Sequence, residues 1–450
     1  MSCAIRSTRP SSISGRTAHT RRSIVSISIS TCMGPKPTSK AAISAGRTDQ
    51  LILQEQRKMT DQNSAIEEPQ ALLSRLVGFR SVSDRSNLDI ADFIETHLAG
   101  LGATCIRFPS CDGQKTNLLA TIGPLMPGGV VLSGHMDVVP VAGQNWTSDP
   151  FALTEHEGAL FGRGTTDMKG FVAACLSVAR LAAAASLQRP LHFAFSYDEE
   201  VGCVGAGPMI DYIADHLPTP ACVIVGEPTG MVPVNAHKGA YDWRTVVTGL
   251  AAHSSMPRLG AHAIYAGARL ITLVESIHDR LVAMPDPGSP FETPHPTLSV
   301  GIARGGSAGN IIPAEFSFEW EARTTSPGQA EAIIESFTVQ AESKVLPRLQ
   351  ATHPLASIVS TSLFKVPPLV PEARGAAEHL ALQLTGAARA DAVSFCTEGG
   401  LFQQAGLSTV ICGPGYVAQA HQPNEYVSLQ QLASCQAFLV RLIDHLAADS

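Results

Sequence analysis

The sequence predicts an α/β protein: a large layered domain interrupted by a smaller, ferredoxin-like one. Helical and β-type segments alternate from Pro69 onward, their order changes to β-α-β-β-α between about 235 and 350, and the alternation resumes after Leu355. With 450 residues, 44% of them hydrophobic and 16% charged, the chain is long enough for two cores.

Apolar residues recur every three or four positions over 69 to 82 and 88 to 100, which predicts two helices. Strands are expected at 103 to 109, 116 to 123 and 129 to 134. A long Ala-rich helix follows at 167 to 186, then strands at 191 to 197 and 221 to 226. The middle region reads as strand 241 to 248, helix 261 to 282, strands 297 to 303 and 315 to 322, and helix 327 to 345. Pro285 to Pro296, with five prolines in twelve residues, is a loop within it. An amphipathic helix is expected at 429 to 447. The large domain therefore comprises 66 to 234 and 351 to 450, and 235 to 350 is the insert. There is no internal repeat.

Residues 1 to 58 are rich in Arg and Ser, have no acidic residue before Asp49, and are expected to lie outside the fold. Such a composition suits a transit peptide. The preferred reading is a start at Met59, from which Thr60-Asp61-Gln62 leads directly into the first helical pattern.

The net charge of -7 argues against nucleic-acid or anionic-membrane partners, since no basic face is available. No apolar run reaches the roughly 18 residues that a membrane span needs. Ten cysteines are scattered from Cys3 to Cys435 without a Cys-x-x-Cys pair, which reads as reduced thiols in a cytoplasmic protein. Cys396 and Cys412 are assigned to packing.

Four strings carry the chemistry: Ser133-Gly134-His135-Met136-Asp137, Gly164-Thr165-Thr166-Asp167-Met168-Lys169-Gly170, Asp198-Glu199-Glu200-Val201-Gly202 and Gly226-Glu227-Pro228-Thr229. Each follows an apolar β-type run or opens the Ala-rich helix, so their side chains fall where strands of an open sheet end, the edge that ligand sites favour. A hydrolytic metal centre needs imidazole and carboxylate ligands, an open position for water, and a base for that water's proton. His135 supplies the imidazole. Asp137, two residues further along extended backbone, points the same way and is expected to hold the ring's other nitrogen. Asp167, with two carboxylate oxygens after a flexible glycine turn, is the candidate bridge between two cations. Glu199 and Glu200 are adjacent and would repel without a cation. One of the two serves as ligand and the other as general base.

Read singly, these residues also have plain structural roles. His135 would bond a neighbour, Asp167 would cap a helix, and Glu227 would sit in a turn. It is their convergence on the ends of neighbouring strands that favours a metal centre.

These strings, with Val138-Val139-Pro140 after the first and Gly162-Arg163 before the second, resemble those of a metallopeptidase family. That family includes acetylornithine deacetylases, succinyl-diaminopimelate desuccinylases, aminoacylases and glutamate-releasing carboxypeptidases. The resemblance runs from about residue 66 to the end. It implies a catalytic domain with an inserted lid and dimerisation domain. It implies two divalent ions, zinc or cobalt, held by His135, Asp167, Glu200, Glu227 and His421, with Asp167 bridging, Glu199 as the base and Asp137 orienting His135.

The C-terminal strings Cys396-Thr397-Glu398-Gly399-Gly400, Gly413-Pro414-Gly415 and Gln419-Ala420-His421-Gln422-Pro423-Asn424-Glu425-Tyr426 are most similar to the acetylornithine deacetylase branch. Asn424 stands where that branch has Asp. The branch implies hydrolysis of N2-acetyl-L-ornithine to ornithine and acetate by a homodimer. A broader N-acyl-amino-acid amidohydrolase, a desuccinylase or a dipeptidase is the alternative within the family, and a non-catalytic metal-binding scaffold is the alternative outside it.

In the insert, Ala252-His253-Ser254-Ser255 resembles the family's lid motif, which implies that His253 stabilises the oxyanion. Asn310 and Arg323 match its substrate-carboxylate groups, a role suited to the planar Arg fork. Without the resemblance, His253 reads as a loop cap and Arg323 as a partner of Glu321. His237, at the entrance to the insert, is assigned to packing or a hinge.

Overall fold

The computed structural model describes residues 67–448. The expectations for residues 1 to 58 and for Met59 lie outside them.

The larger sheet has eight strands in the order Thr104–Pro109, Thr116–Ile122, Leu191–Ser196, Val130–His135, Cys222–Pro228, Thr409–Gly413, Val234–His237 and Asp391–Val393. Its four central strands run parallel. Every residue in them is buried, because helices cover both faces. Alternation along the strands divides their side chains. Leu132, Phe193, Phe195, Ile224 and Val410 join one core with the helices Pro69–Gly78, Leu88–Ala99, Lys169–Ala184 and Leu429–Ala447, whereas Val131, Ala194, Val223, Val225 and Ile411 join a second core with Gly207–His216 and Phe402. The last helix has its expected bounds.

The carboxyl ends of this parallel block are closely packed. A Cβ on Gly226 would lie 2.0 Å from the Phe171 ring, and one on Gly413 would lie 2.0 Å from the Gly226 carbonyl oxygen. Only glycine allows the two strands and the helix to approach so closely just before Glu227.

The smaller sheet is wholly antiparallel, in the order Thr297–Gly305, Glu315–Thr324, Gly239–Thr248 and Ser357–Val366. Its core stacks Trp243 against Trp320, with ring centroids 4.6 Å apart, and adds Phe318, Phe337 and Leu270 from the sheet and its helices. The chain order is β-α-β-β-α-β, and the fourth strand lies beyond residue 350. The helical segment expected at 327 to 345 runs as Gln329–Gln340, a π turn at Ala341–Val345, and Leu346–Gln350. A three-stranded sheet of Thr154–His156, Ala159–Phe161 and Tyr426–Ser428 was not expected, since three-residue strands are too short to show a period.

The described cysteines are free, and five of the eight are buried. No helix among the described residues is long and apolar enough to cross a membrane.

Candidate metal centre

His135 is the last residue of the strand Val130–His135, and Glu227 lies near the end of Cys222–Pro228. Asp198 to Glu200 follow the strand Leu191–Ser196, and Asp167 precedes the helix Lys169–Ala184. Parallel strands in register bring these four ends together. His421 arrives from a loop more than 220 residues away from Glu200 and adopts a left-handed backbone, φ 60°, as does Asp198, φ 58°.

The His135 Nε2 lies 3.0 Å from Asp167 Oδ1 and 3.6 Å from Glu227 Oε1. The His421 Nε2 lies 3.1 Å from Asp167 Oδ2 and 2.9 Å from Glu200 Oε2. Two groups able to hold a metal ion result, His135 with Asp167 and Glu227, and Asp167 with Glu200 and His421. They share Asp167, which turns one oxygen to each histidine. Within each group the possible ligand atoms all lie within 4.8 Å of one another.

Burial and charge explain the electrostatics. Burial raises Glu199 and Glu227 well above the usual carboxylate range, and neighbouring carboxylates push them further. Burial and Asp167 lift Glu200 to about 7. Burial alone would depress His135, but its hydrogen bond with Asp167 and the charges of Glu227 and Glu199 hold it well above its usual value. Hydrogen bonds with Asp167 and Glu200 raise His421 to about 11. Burial pushes Asp167 upward, but the two histidines hold it below its usual value. Such crowding of acids is relieved by cations. The buried Glu200 Oε1 has no hydrogen-bond partner, so one oxygen is left over for a ligand bond. The donor set of two imidazoles and three carboxylates therefore fits two divalent ions.

Asp137 is placed differently from its expected geometry. The His135 Nδ1 is 2.9 Å from Asp137's own carbonyl oxygen, while the carboxylate is 3.7 Å away. That carboxylate accepts instead from Ser83 Oγ and from the backbone N–H groups of Glu199 and Glu200. It thus fixes the turn that carries both glutamates. Lys115 holds the preceding Asp198 at 2.6 Å. The Cys203 thiol donates to Glu199 Oε1 at 3.3 Å.

A cleft of about 110 Å³ is lined by Asp167, Glu199, Glu200, Glu227 and His421, with Phe395, Cys396 and Val417 among its apolar walls. A larger depression of about 510 Å³, beside the helix Ala376–Thr385, contains none of the site residues. The candidate metal ligands line the smaller cleft, which makes it the candidate site.

Three residues singled out from the insert are not gathered with the others. His253 is exposed on a two-residue strand, its Nδ1 2.7 Å from Ser255 Oγ. Asn310 is exposed beside it and accepts from Ser254 N through its carbonyl oxygen. Arg323 pairs with Glu321 at 3.0 Å and donates to Cys396 Sγ at 3.6 Å, which sets it next to the cleft wall. His237 is buried, with Nδ1 2.9 Å from the Lys238 carbonyl oxygen and Nε2 accepting from Gly400 N, as its packing assignment required.

Sequence reasoning missed the groups that hold the site loops. Arg163 and Glu425 form an ion pair at 2.6 Å, each only 1% exposed. Glu425 stood in the C-terminal string without a role. The available signal was one charge of each sign inside otherwise glycine-rich or turn-forming strings.

Peptidase family M20/M25/M40 matches residues 131–445. An acetylornithine deacetylase of Edwardsiella ictaluri (strain 93-146) is 33% identical over 390 residues, covering 83% of this chain and 97% of that protein. An acetylornithine deacetylase of Klebsiella pneumoniae (strain 342) is 32% identical over 371 residues, 80% of this chain and 92% of that one. Among solved structures, a tripeptidase from Staphylococcus aureus aligns with a TM-score of 0.67 at 19% identity, covering 85% of this chain and 99% of that chain. A dinuclear metal-binding peptidase from the M20 family of Bacillus subtilis aligns with a TM-score of 0.55 at 16% identity, covering 83% and 98%. At those identities the two structures bear on the fold alone.

Proposed function

The chain belongs to peptidase family M20/M25/M40, and from that membership and the cleft we propose that it hydrolyses N2-acetyl-L-ornithine to ornithine and acetate. The reaction class rests on one observation, a carboxylate that faces two histidines at once in a cleft that Glu199 also lines. The substrate rests on the similarity to acetylornithine deacetylases over nearly their whole length.

In this reading His135, Asp167 and Glu227 would hold one ion, and Asp167, Glu200 and His421 would hold the other. Zinc or cobalt suits the mixed imidazole and carboxylate set. When bound, the two ions polarise the acyl carbonyl and make water a nucleophile at neutral pH. Glu199 is the general base: it takes the water's proton and passes it to the leaving amine. Asp137 keeps Glu199 aimed by holding its backbone N–H. Phe395 and Val417 give the cleft an apolar side against which the acyl group packs.

We assign the small sheet and its helices to a lid and dimer contact, with His253 reaching the cleft of a second copy to donate to the oxyanion. Asn310 and Arg323 are proposed to hold the substrate carboxylate, supported by Arg323's contact with Cys396 in the cleft wall. The free, scattered thiols support a cytoplasmic location.

Glu199→Gln tests the assignment. Activity should fall while both metal equivalents remain bound, and unchanged turnover would remove Glu199 from the mechanism.

A further inference from the structure

We propose that the buried Arg163–Glu425 pair is a clamp that positions two of the proposed metal ligands, Asp167 and His421, and so sets the affinity of the site they share with Glu200. The inference rests on the ligand assignment above.

Asp167 lies in a loop without regular secondary structure, and so does His421. Loops of this kind need a separate device to hold a ligand geometry that tolerates only small errors. Glu425 provides it on the Asp167 side. Its Oε1 accepts from the backbone N–H of Thr166 at 2.9 Å and of Asp167 at 3.1 Å, and its Oε2 from Gly164 N at 3.1 Å and Arg163 Nη1 at 2.6 Å. The Glu425 carbonyl oxygen also accepts from Gly162 N at 3.0 Å. One carboxylate thus gathers the consecutive turn that ends at the bridging residue.

Arg163 carries the same restraint to the His421 side. Its Nη2 donates to Gln144 Oε1 at 2.6 Å, and Gln144 Nε2 donates to the His421 carbonyl oxygen at 2.9 Å. Arg163 Nη1 also reaches the Gln422 carbonyl oxygen at 3.5 Å. The Trp146 ring covers the guanidinium, whose carbon is 5.1 Å from the ring centroid, and Trp146 Nε1 donates to the same Gln144 oxygen. Asn424 closes the loop from outside, its Oδ1 accepting from Thr147 N and Thr147 Oγ1. Two segments more than 250 residues apart are therefore tied through one ion pair.

A buried ion pair is a poor way to gain stability alone, because desolvation offsets much of its attraction. Here its geometry serves another end. Every hydrogen bond made by the Glu425 carboxylate goes to Arg163 or to the backbone of the turn leading into Asp167. Outer groups that orient metal ligands typically change metal affinity or activity by about 10–100-fold when altered. The His421 group has two of its three ligands, Asp167 and His421, restrained by the clamp, whereas the His135 group has only Asp167. The two equivalents should therefore respond unequally.

The test is cobalt binding, followed by visible absorption and equilibrium dialysis, to the full-length wild-type protein and to Glu425→Gln, Glu425→Asp, Arg163→Lys and Gln144→Ala. Glu425→Gln is expected to bind one equivalent within a few-fold of wild type and to weaken the other about 10–100-fold. Glu425→Asp, which keeps the charge, should recover part of that loss. Gln144→Ala, which leaves the buried pair intact and so keeps the test open if the Glu425 variants fail to fold, should weaken the same equivalent. If all variants bind both equivalents as wild type does and only their melting temperatures fall, the pair is a structural element and the clamp is wrong. A wild-type protein that binds no cobalt would instead remove the ligand assignment beneath it.

Discussion

The two sheets hold their candidate functional residues in opposite ways. At the ends of the large sheet, Asp167, Glu199, Glu200 and Glu227 line one cleft with His421, and the backbone N–H groups of Asp167, Glu199 and Glu200 are held by the buried carboxylates of Glu425 and Asp137. Around the small sheet, His253 and Asn310 are exposed, and of the three residues singled out there Arg323 alone bonds to the cleft wall, at Cys396. Buried charges must be compensated where they stand, so the two candidate ligand groups are gathered from residues of one chain. A surface histidine carries no such requirement. It can serve a site that forms only when another surface arrives.

The comparison is tested most severely by Asp167→Ala. The residue belongs to both ligand groups, so the variant should lose both metal equivalents and fall to background amine release, measured by metal analysis beside turnover. Retention of both ions would break the claim that the large sheet's site is organised around one bridge. Glu199→Gln sharpens it: kcat should drop about 10²–10⁴-fold with metal content unchanged.

The small sheet should behave otherwise. His253→Ala is expected to lower kcat about 10²–10³-fold without altering metal content. If metal were lost with it, the two regions would not be separate in function. Mixing His253→Ala with Glu199→Gln protein should restore part of the activity if the histidine serves a second copy, and no recovery would contradict that arrangement.

A smaller effect concerns pH. Burial depresses His192 and His237, both on large-sheet strands, to about 4, from an ordinary value of 6.5. The fold keeps these rings neutral. Their contribution is complete above pH 6.5 and declines as pH falls towards 4, because the unfolded chain takes up protons that the folded one refuses. Each unit is worth about 1.4 kcal/mol, so together they should remove a few kcal/mol between pH 7 and 4. Urea unfolding of the metal-free protein at several pH values measures this, and His237→Asn should flatten the slope. An unchanged slope would mean that His237 is not the neutral packing residue described here.

Much of this was legible in the sequence, for physical reasons. The central strands read as continuous apolar runs because both faces are covered, and the four acidic strings stood out because they gather carboxylates and a histidine next to strand ends. Helix 429 to 447 was legible through its period. The fourth strand of the small sheet, Ser357–Val366, was not placed with the insert. It pairs with Gly239–Thr248 more than a hundred residues away, and local pattern carries no record of the partner. The Asp137 geometry was missed because alternation along a strand predicts the face but not whether carbonyl or carboxylate meets the ring. The Arg163–Glu425 pair was missed because two opposite charges, 262 positions apart, look like ordinary solvated residues until the fold buries them.

The most direct measurement is amine release from N2-acetyl-ornithine, succinyl-diaminopimelate, N-acetyl-methionine and a dipeptide by protein stripped of metal and then reloaded with zinc or cobalt. The account predicts no activity after stripping, recovery on reloading, and a preference for N2-acetyl-ornithine. A preference for another of these compounds would replace the substrate, and hydrolysis that persists without metal, or none with any of them, would contradict the account itself.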